Sequence, residues 1–592
     1  MKNYIIIAAA AVIGFSSCSD YLNRLPKDTL SPENYFRNET DLQLFSNTFY
    51  NNLLDKDPYD HQSDHYINLN LSNELHGGTF RVVPASGGGW SWGDLRKINT
   101  LLGNMDKCQD AAAVAKYTGL AKFFRAYFYF DKVRRFGDVP WVDQELGSDD
   151  SRLYNPRDSR EVIMTHMLED IDEAIEKLPS DVSTYRVNKW AALALKSQFC
   201  LYEGTFRKYH KITLEGHSYE DYLELAADAA KQIMNSGKYG LAKDYLTLFA
   251  EIDADKTEYI LAIKNDRALS ITNNTSAFAN MPTQGCPGLT KKFVDSFLMK
   301  DGSRFTDKPG WETMQFKEEV ADRDPRLACC TKTPGYKRIG GTKVLAPDFG
   351  SSTTGFQIVK YVMDCTLTDV DRVDMSYNDM PVYRYAEVLL SYAEAKAELG
   401  TITQEDLDIS VNKLRDRVKM PHMNLAAANA NPDPYLLSEK WGYRNVEAGA
   451  NQGVILEIRR ERSVELAQEG RRWDDLMRWK EGKCIDQEMY GMYFPGPGEY
   501  DLTGDNVPDV CLYTDEAQIG DKKKDGVVYL KIGEKTGGII LSDGTKGYID
   551  SQQGIQHTFD ESRDYFYPIP VNERTLNQNL SQNPGWKDGL NF

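Results

Sequence analysis

Apolar residues recur at helical spacing along most of this chain, and the places where that rhythm stops divide it into parts. The period first holds near Glu39 and runs through "DLQLFSNTFYNNLL", which predicts a helix. Between Asp55 and Gly89 it gives way to an irregular stretch with prolines, glycines and His61, His65 and His76. In "KYTGLAKFFRAYFYFDKVRRFGD" Leu120, Phe124, Tyr127, Phe128 and Val133 return at helical spacing, closed by Gly137 and Pro140. Further helices are predicted from Ser159 to Leu178, with Ser159 as candidate N-cap, from Lys189 to Glu203 and from Tyr219 to Ser236. A loop-rich middle at about 265–380 precedes the helical runs "AEVLLSYAEAKAELG", "QEDLDISVNKLRDRV" and "VILEIRRERSVELAQEGRRWDDLMRWKEG". The last hundred residues read as turns and short strands such as "VVYLKIG", with the hairpin-like "IILSDGTKG".

Several helices come in pairs with Ala and Gly at close-packing points, as in Ala393 to Gly400 followed by Leu407 to Val418. Such pairs are tetratricopeptide-like, although loops such as Thr205 to Glu220 break a regular repeat. The expected fold is mainly α: one scaffold of helix pairs with long loop-rich insertions and a few short β-hairpins. Its helical core is expected at about 39–54, 95–260 and 382–482, and its insertions at about 55–94, 265–380 and 484–570, within a single domain of residues 39–592. Loops carried on a rigid helical frame are where binding usually resides.

Composition narrows the class of ligand. The chain has 592 residues and a net charge of −18, with no basic stripe to neutralise phosphates, so nucleic acid is a poor partner. Aromatic residues make up 11%, enough to build both a core and stacking surfaces. At the N-terminus, "MKNYIIIAAAAVIGFSSC" has one positive charge, an apolar run too short to span a bilayer and two serines before Cys18. Two readings fit: a secretory signal cleaved near Ser17 that leaves Cys18 a free thiol, or a lipobox whose Cys18 is lipidated. The second predicts a signal peptide at residues 1–17 and a lipidated tether at 18–38. The other cysteines are too sparse for a disulfide scaffold and lack CxxC spacing.

Candidate chemistry lies mostly in loops. "SGGGWSWGDLRKIN", Ser86 to Asn99, sets Trp90 and Trp92 at alternate positions behind three glycines, either as a stacking platform or as packing. Just upstream Asn73, Glu74, His76 and Arg81 supply planar hydrogen-bonding groups, so the segment offers flat apolar faces beside polar ones, as sugars require. "DLTGDNVPD" places Asp501, Thr503, Asp505 and Asp509 around Gly504, either a structural Ca²⁺ loop or an acidic turn. Catalytic motifs are missing: "HQSDH" lacks the glutamate of a zinc protease, and there is neither a GxSxG elbow nor a GxxxxGK[ST] loop. No catalytic cofactor is expected.

Taken in order, "SCSDYLNRLP", "LAKFFRAYFYFDKVRRFGDVPWV", "RVNKWAALALKSQFCLYEG", "DRDPRL", "YRYAEVLLSYAEAKAELG", "VNKLRDRVKMP", "LEIRRERSVELAQEGRRWDDLMRWK" and "YFYPIPVNERTLNQNLSQNPGW" resemble the SusD/RagB-like surface lipoproteins of glycan-uptake systems. The resemblance implies about four tetratricopeptide-like helix pairs beneath a loop-rich face that binds oligosaccharides. It also implies an outer-membrane anchor facing the cell exterior and a SusC-like TonB-dependent transporter as partner. Ligand contacts in this family often come from the insert holding Trp90 and Trp92, and from the regions of "MPTQGCPGLTKKF" and "KPGWETMQF", which makes Cys286 and Trp311 further candidates. Arg384, Glu387, Glu394, Arg471, Arg472, Trp473 and Trp479 lie on apolar helices and are expected to pack and pair within the core. An oligopeptide receptor of the same architecture and a surface glycoside hydrolase are the competing functions.

Overall fold

The computed structural model describes residues 35–55, 57–59, 61–520 and 523–592. Cys18, the signal peptide and most of the tether lie outside the described residues.

Each long helix starts where a side chain can take up its unpaired N–H groups. Asn38 caps α1 (Glu39–Leu53), Asp110 caps α2 (Ala111–Phe136) and Ser159 caps α3 (Arg160–Lys177). Asn188 caps α4 (Lys189–His210), and Ser218 forms a capping box with Asp221 at the start of α5 (Tyr219–Asn235). Helix α4 runs seven residues past its predicted end at Glu203, because Glu203 and Arg207 pair inside the core and the helix stops only at Lys211, in the left-handed region. Downstream come α6 (Tyr385–Glu398), α7 (Gln452–Glu465) and α8 (Arg472–Arg478).

Successive helices pack as neighbours: α2 on α3, α3 on α4, α4 on α5, then α5 on α6 and α6 on α7. This is a mainly α fold with tetratricopeptide-like pairs. Small residues let the axes approach; a Cβ on Gly204 of α4 would sit 2.8 Å from Leu223 of α5.

Ion pairs hold the C-terminal helices to the rest. Arg384, 2% exposed, donates to Glu258, Glu465 and Glu469, while Arg417 and Arg326 reach the same Glu465. Three basic partners hold the Glu465 carboxyl well below the usual carboxylate range in spite of its burial. Trp479, fully buried, donates its indole N–H to Glu394 at 2.7 Å, and Arg471 pairs with Glu387. These signatures build the scaffold, as their apolar neighbours predict.

Strands are short and serve as ties. β1 (Tyr66–Ile67) pairs with β3 (Gly288–Leu289), β2 (Tyr259–Ile263) with β4 (Met380–Arg384), and β5 (Tyr493–Phe494) with β10 (Gly547–Tyr548), all antiparallel. A small sheet in the order β6 (Gly498–Tyr500), β7 (Val510–Tyr513), β8 (Val528–Ile532) and β9 (Gly538–Ile539) opens on the antiparallel pair β6 and β7, while β8 lies parallel to both neighbours, and the expected hairpin "IILSDGTKG" pairs Leu541 antiparallel to Ile549. The eight cysteines from Cys108 to Cys511 are free thiols, and no helix among the described residues is long and apolar enough to cross a membrane.

Candidate functional site

The glycine-rich loop before the tryptophans closes onto α2. Lys132 donates to the Gly89 carbonyl at 2.7 Å and Arg135 to that of Gly88 at 2.8 Å. All three glycines have positive φ, and a Cβ on Gly89 would lie 2.5 Å from the Arg135 side chain. Glycine is needed here for approach to a helix rather than to a ligand. Trp90 is 6% exposed and meets Phe136 edge-on at 4.9 Å, so most of its ring is taken up by the core rather than displayed on the surface. Trp92 is half-buried against Phe128 and Tyr129. The two indoles share a core because they meet edge to face, 5.3 Å apart at 79°. With Leu95, Leu146, Leu576 and Leu580 they line an apolar cavity of about 520 Å³.

Other expected contacts are also drawn inward. Arg81, 5% exposed, donates to the Asp564 carbonyl at 2.9 Å, pairs with its carboxylate and lies among the rings of Trp473, Tyr567 and Trp586. It cannot read hydroxyls from there. Glu74 accepts from the Tyr567 hydroxyl at 2.7 Å, while Asn73 stays exposed at the head of a single helical turn. Cys286, expected on an exposed turn, is buried and donates its thiol to the carbonyls of Pro282 and Gly350.

The acidic loop does not form a cation cage. Asp501 accepts from the backbone of Gly504 and Asn506 and from Lys317, Asp505 from Val507, and Asp509 from Leu502 and Thr503. Thr503 turns its hydroxyl to Asp501. Among the described residues no group of three or more His, Cys, Asp or Glu side chains converges to hold a metal ion. The donors that Ca²⁺ needs are spent on a turn, so this loop does not fit the ion.

What the structure does bring together is the three loop-rich insertions. Leu69 donates its backbone N–H to Gly285, Thr353 to Cys286, Lys291 to Tyr490 and Met492 to Thr354. Gln552 reaches the Asn68 carbonyl, and His557 meets that of Leu75 at 2.7 Å. At this junction stand four half-buried aromatics, Trp311, Tyr490, Tyr493 and Tyr548. Tyr490 and Tyr548 stack at 5.1 Å and 15°, and Tyr493 meets Tyr548 at 5.6 Å and 66°. The Lys291 ammonium lies 5.8 Å from the Tyr548 ring centre and 6.0 Å from that of Trp311, so one buried cation joins the two rings.

Lys291 is 3% exposed and pairs with Asp295 at 3.1 Å and with Glu319. Those carboxylates hold its ammonium above the ordinary lysine range despite burial. Burial pushes the Asp295 carboxyl up to about 7, with Lys291 drawing it down and Glu319 adding to the rise. The Tyr490 phenol is pushed up to about 12 by burial and by Glu488 beside it. The result is a set of flat faces with phenol hydroxyls at their edges on a firm polar floor. Sequence reasoning singled out Trp311 and missed the tyrosines, whose only signal is their density in "YGMYFPGPGEY" and "KGYID".

Elsewhere, a cavity of about 330 Å³ is lined by Tyr127, Trp473 and Tyr567 and by the paired Arg134 and Asp474.

The chain matches the family model of the SusD family over residues 257–586, more than half its length, and that described as "Starch-binding associating with outer membrane" over residues 33–214. It is 26% identical to SusD-like protein P38 of Formosa agariphila over 382 residues, which is 61% of this chain and 66%, just under two thirds, of that relative. A SusD-like carbohydrate-binding protein from Bacteroides fragilis shares the fold with a TM-score of 0.67 at 22% identity, covering 92% of this chain and 99% of that one. A laminarin-binding SusD-like protein shares it with a TM-score of 0.53 at 18% identity, covering 93% and 100%. The signatures, the helix pairs and the family match agree: the chain belongs to the SusD family.

Proposed function

We propose that this protein captures oligosaccharides at the cell surface and delivers them to a SusC-like TonB-dependent transporter, without acting on them as an enzyme. One observation carries the reading: the aromatic group Trp311, Tyr490, Tyr493 and Tyr548, standing where all three insertions meet. Pyranose rings present flat C–H faces that aromatic rings cover, while phenol hydroxyls and nearby carboxylates pair with sugar hydroxyls. The carbohydrate-binding and laminarin-binding neighbours support a glycan as the ligand. Lipidation of Cys18 would keep the protein on the outer membrane facing outward, and each buried methylene adds about 0.8 kcal/mol to anchoring. The Cys18→Ala variant is then expected in the soluble fraction and without incorporated palmitate.

Titration calorimetry over a panel of oligosaccharides tests the site. Trp311→Ala and Tyr548→Ala are expected to weaken binding at least tenfold, and Trp92→Ala to leave it within about twofold. Binding that survives both of the first two variants moves the site elsewhere; peptides retained through purification replace the glycan with an oligopeptide.

A further inference from the structure

We propose that the cavity of about 330 Å³ among the helices is a second sugar site, separate from the aromatic group, that takes one or two sugar units. It is built by α2, α4, β4 and α8 with Tyr59 and Gln62 of the first insertion, and it shares no lining residue with the group of Trp311, Tyr490, Tyr493 and Tyr548. Its exposed lining residues, Asp55 and Asp57, mark the mouth, and Tyr59, Tyr202, Tyr361 and Tyr383 are buried in its walls. Two of those tyrosines carry the inference. Tyr59 is 7% and Tyr361 1% exposed, yet neither phenol hydroxyl has a hydrogen-bond partner in the protein. By contrast the neighbouring Tyr383 hydroxyl donates to Gln198 at 3.3 Å, and Gln198 to Glu387.

Buried polar groups in folded proteins are nearly always paired, so two unpaired hydroxyls in one cavity point to a molecule that takes both bonds. The rings of Tyr59 and Tyr361 lie 5.8 Å apart, within reach of a single small ligand. A hydroxyl both donates and accepts, which suits another hydroxyl better than a fixed charge. Half-buried Tyr127 and Trp473 add flat faces for the C–H side of a sugar ring. The charged wall residues are largely occupied with partners of their own. Arg134 pairs with Asp131 at 3.1 Å and with Asp474 at 2.5 Å, and Arg471 pairs with Glu387 at 3.1 Å. Arg135 donates to the Gly88 carbonyl and lies 3.7 Å from the Tyr567 ring centre. The volume stands at the lower end of the range of about 300–1,000 Å³ for small-molecule sites, which limits the ligand to a short one.

The test is a saturation-transfer NMR titration with a panel of neutral mono- and disaccharides, on the wild-type protein, on Trp311→Ala and on the double variant Tyr59→Phe/Tyr361→Phe. The expected result is binding of at least one of these sugars, weakened at least tenfold in the double variant and held within about twofold in Trp311→Ala. The double variant should melt no lower than wild type, because it keeps both rings and removes only hydroxyls that the fold leaves unpaired. That pattern stands even if longer oligosaccharides prove independent of Trp311, so the two sites can fail separately. Short-sugar binding that is lost in Trp311→Ala but kept in the double variant assigns those sugars to the aromatic group and overturns the cavity site. A lower melting temperature in the double variant with unchanged sugar affinity shows that the hydroxyls serve the fold alone, and no binding across the panel removes the site outright.

Discussion

An arginine in a loop beside two tryptophans reads as a hydroxyl donor, yet Arg81 gives its guanidinium to Asp564, 483 positions further along the chain. Truncating it leaves a buried carboxylate with the half-exposed Arg563 and the Asp560 backbone N–H as its remaining partners. Arg81→Ala is therefore expected to cost about 3 kcal/mol in denaturant unfolding while leaving glycan affinity unchanged. Residue type alone marks Arg81, Trp90 and Cys286 as facing a ligand; Asp564, Phe136 and Gly350 bury them, and nothing local encodes those partners. Asp295 gives a prediction with a sign. Its carboxyl titrates near 3.8 when unfolded and is pushed up to about 7 by burial in the folded protein. Between those values the folded state holds the proton more tightly, so this group lowers stability as pH rises, by at most about 1.4 kcal/mol per pH unit, and adds no further slope above about 7. The difference in unfolding free energy between Asp295→Asn and wild type, measured from pH 4 to 8, should move in the variant's favour as pH rises and level off near 7. A flat difference would mean that Asp295 is ionised throughout.

At the scale of elements, the helices are legible and the ties are not. The helical period places α3 and α5, and the candidate cap Ser159 fixes the start of α3, because these signals lie within one turn of the residues they order. The ladders β1 to β3 and β5 to β10 span two residues each, too short for an alternating pattern, and they join segments far apart in the chain. The meeting of the insertions therefore left no trace in periodicity, although it builds the aromatic group. One glycine shows how tightly they meet: a Cβ on Gly491 would sit 2.2 Å from the Thr354 carbonyl oxygen, and backbone cannot swing aside as a side chain can. Gly491→Ala is expected to cost about 1–3 kcal/mol and to abolish glycan binding by parting the second and third insertions. Far-ultraviolet circular dichroism should stay unchanged, because the helix pairs do not pass through this contact. Full binding in this variant would show that the insertions need not touch to form the site.

Across the whole molecule, the end of the chain returns to its beginning. Tyr567 donates its backbone N–H to Arg135 at the end of α2, while Val571 and Asn572 donate to Pro84 and Ala85 in the loop before the tryptophans. Asn583 donates to the Phe136 carbonyl and accepts from Arg157, and Trp586 stacks beside Arg81. The terminal signature "YFYPIPVNERTLNQNLSQNPGW" is thus a strap over the first helix pair, and its Leu576 and Leu580 form one wall of the cavity beside Trp90 and Trp92. Its order among the other signatures is legible in the sequence; its position is not, since Pro84, Ala85, Arg135, Phe136 and Arg157 all lie more than 400 residues away from the groups they meet. Removing residues 566–592 would take the Phe566 ring off Phe206 and leave the carbonyls of Phe136 and Asn155 without their asparagine donors. In a chain of this size one kcal/mol moves the melting temperature by only about 1 °C, so losing several such contacts should lower it by about 5 °C or more. Asn583→Ala gives a milder form that still folds, with a fall of about 1–2 °C and faster tryptic cleavage at Arg134 and Arg135. If the truncated protein melts within about 2 °C of the full chain, the strap lies outside the cooperative unit, and the first helix pair is stable without it.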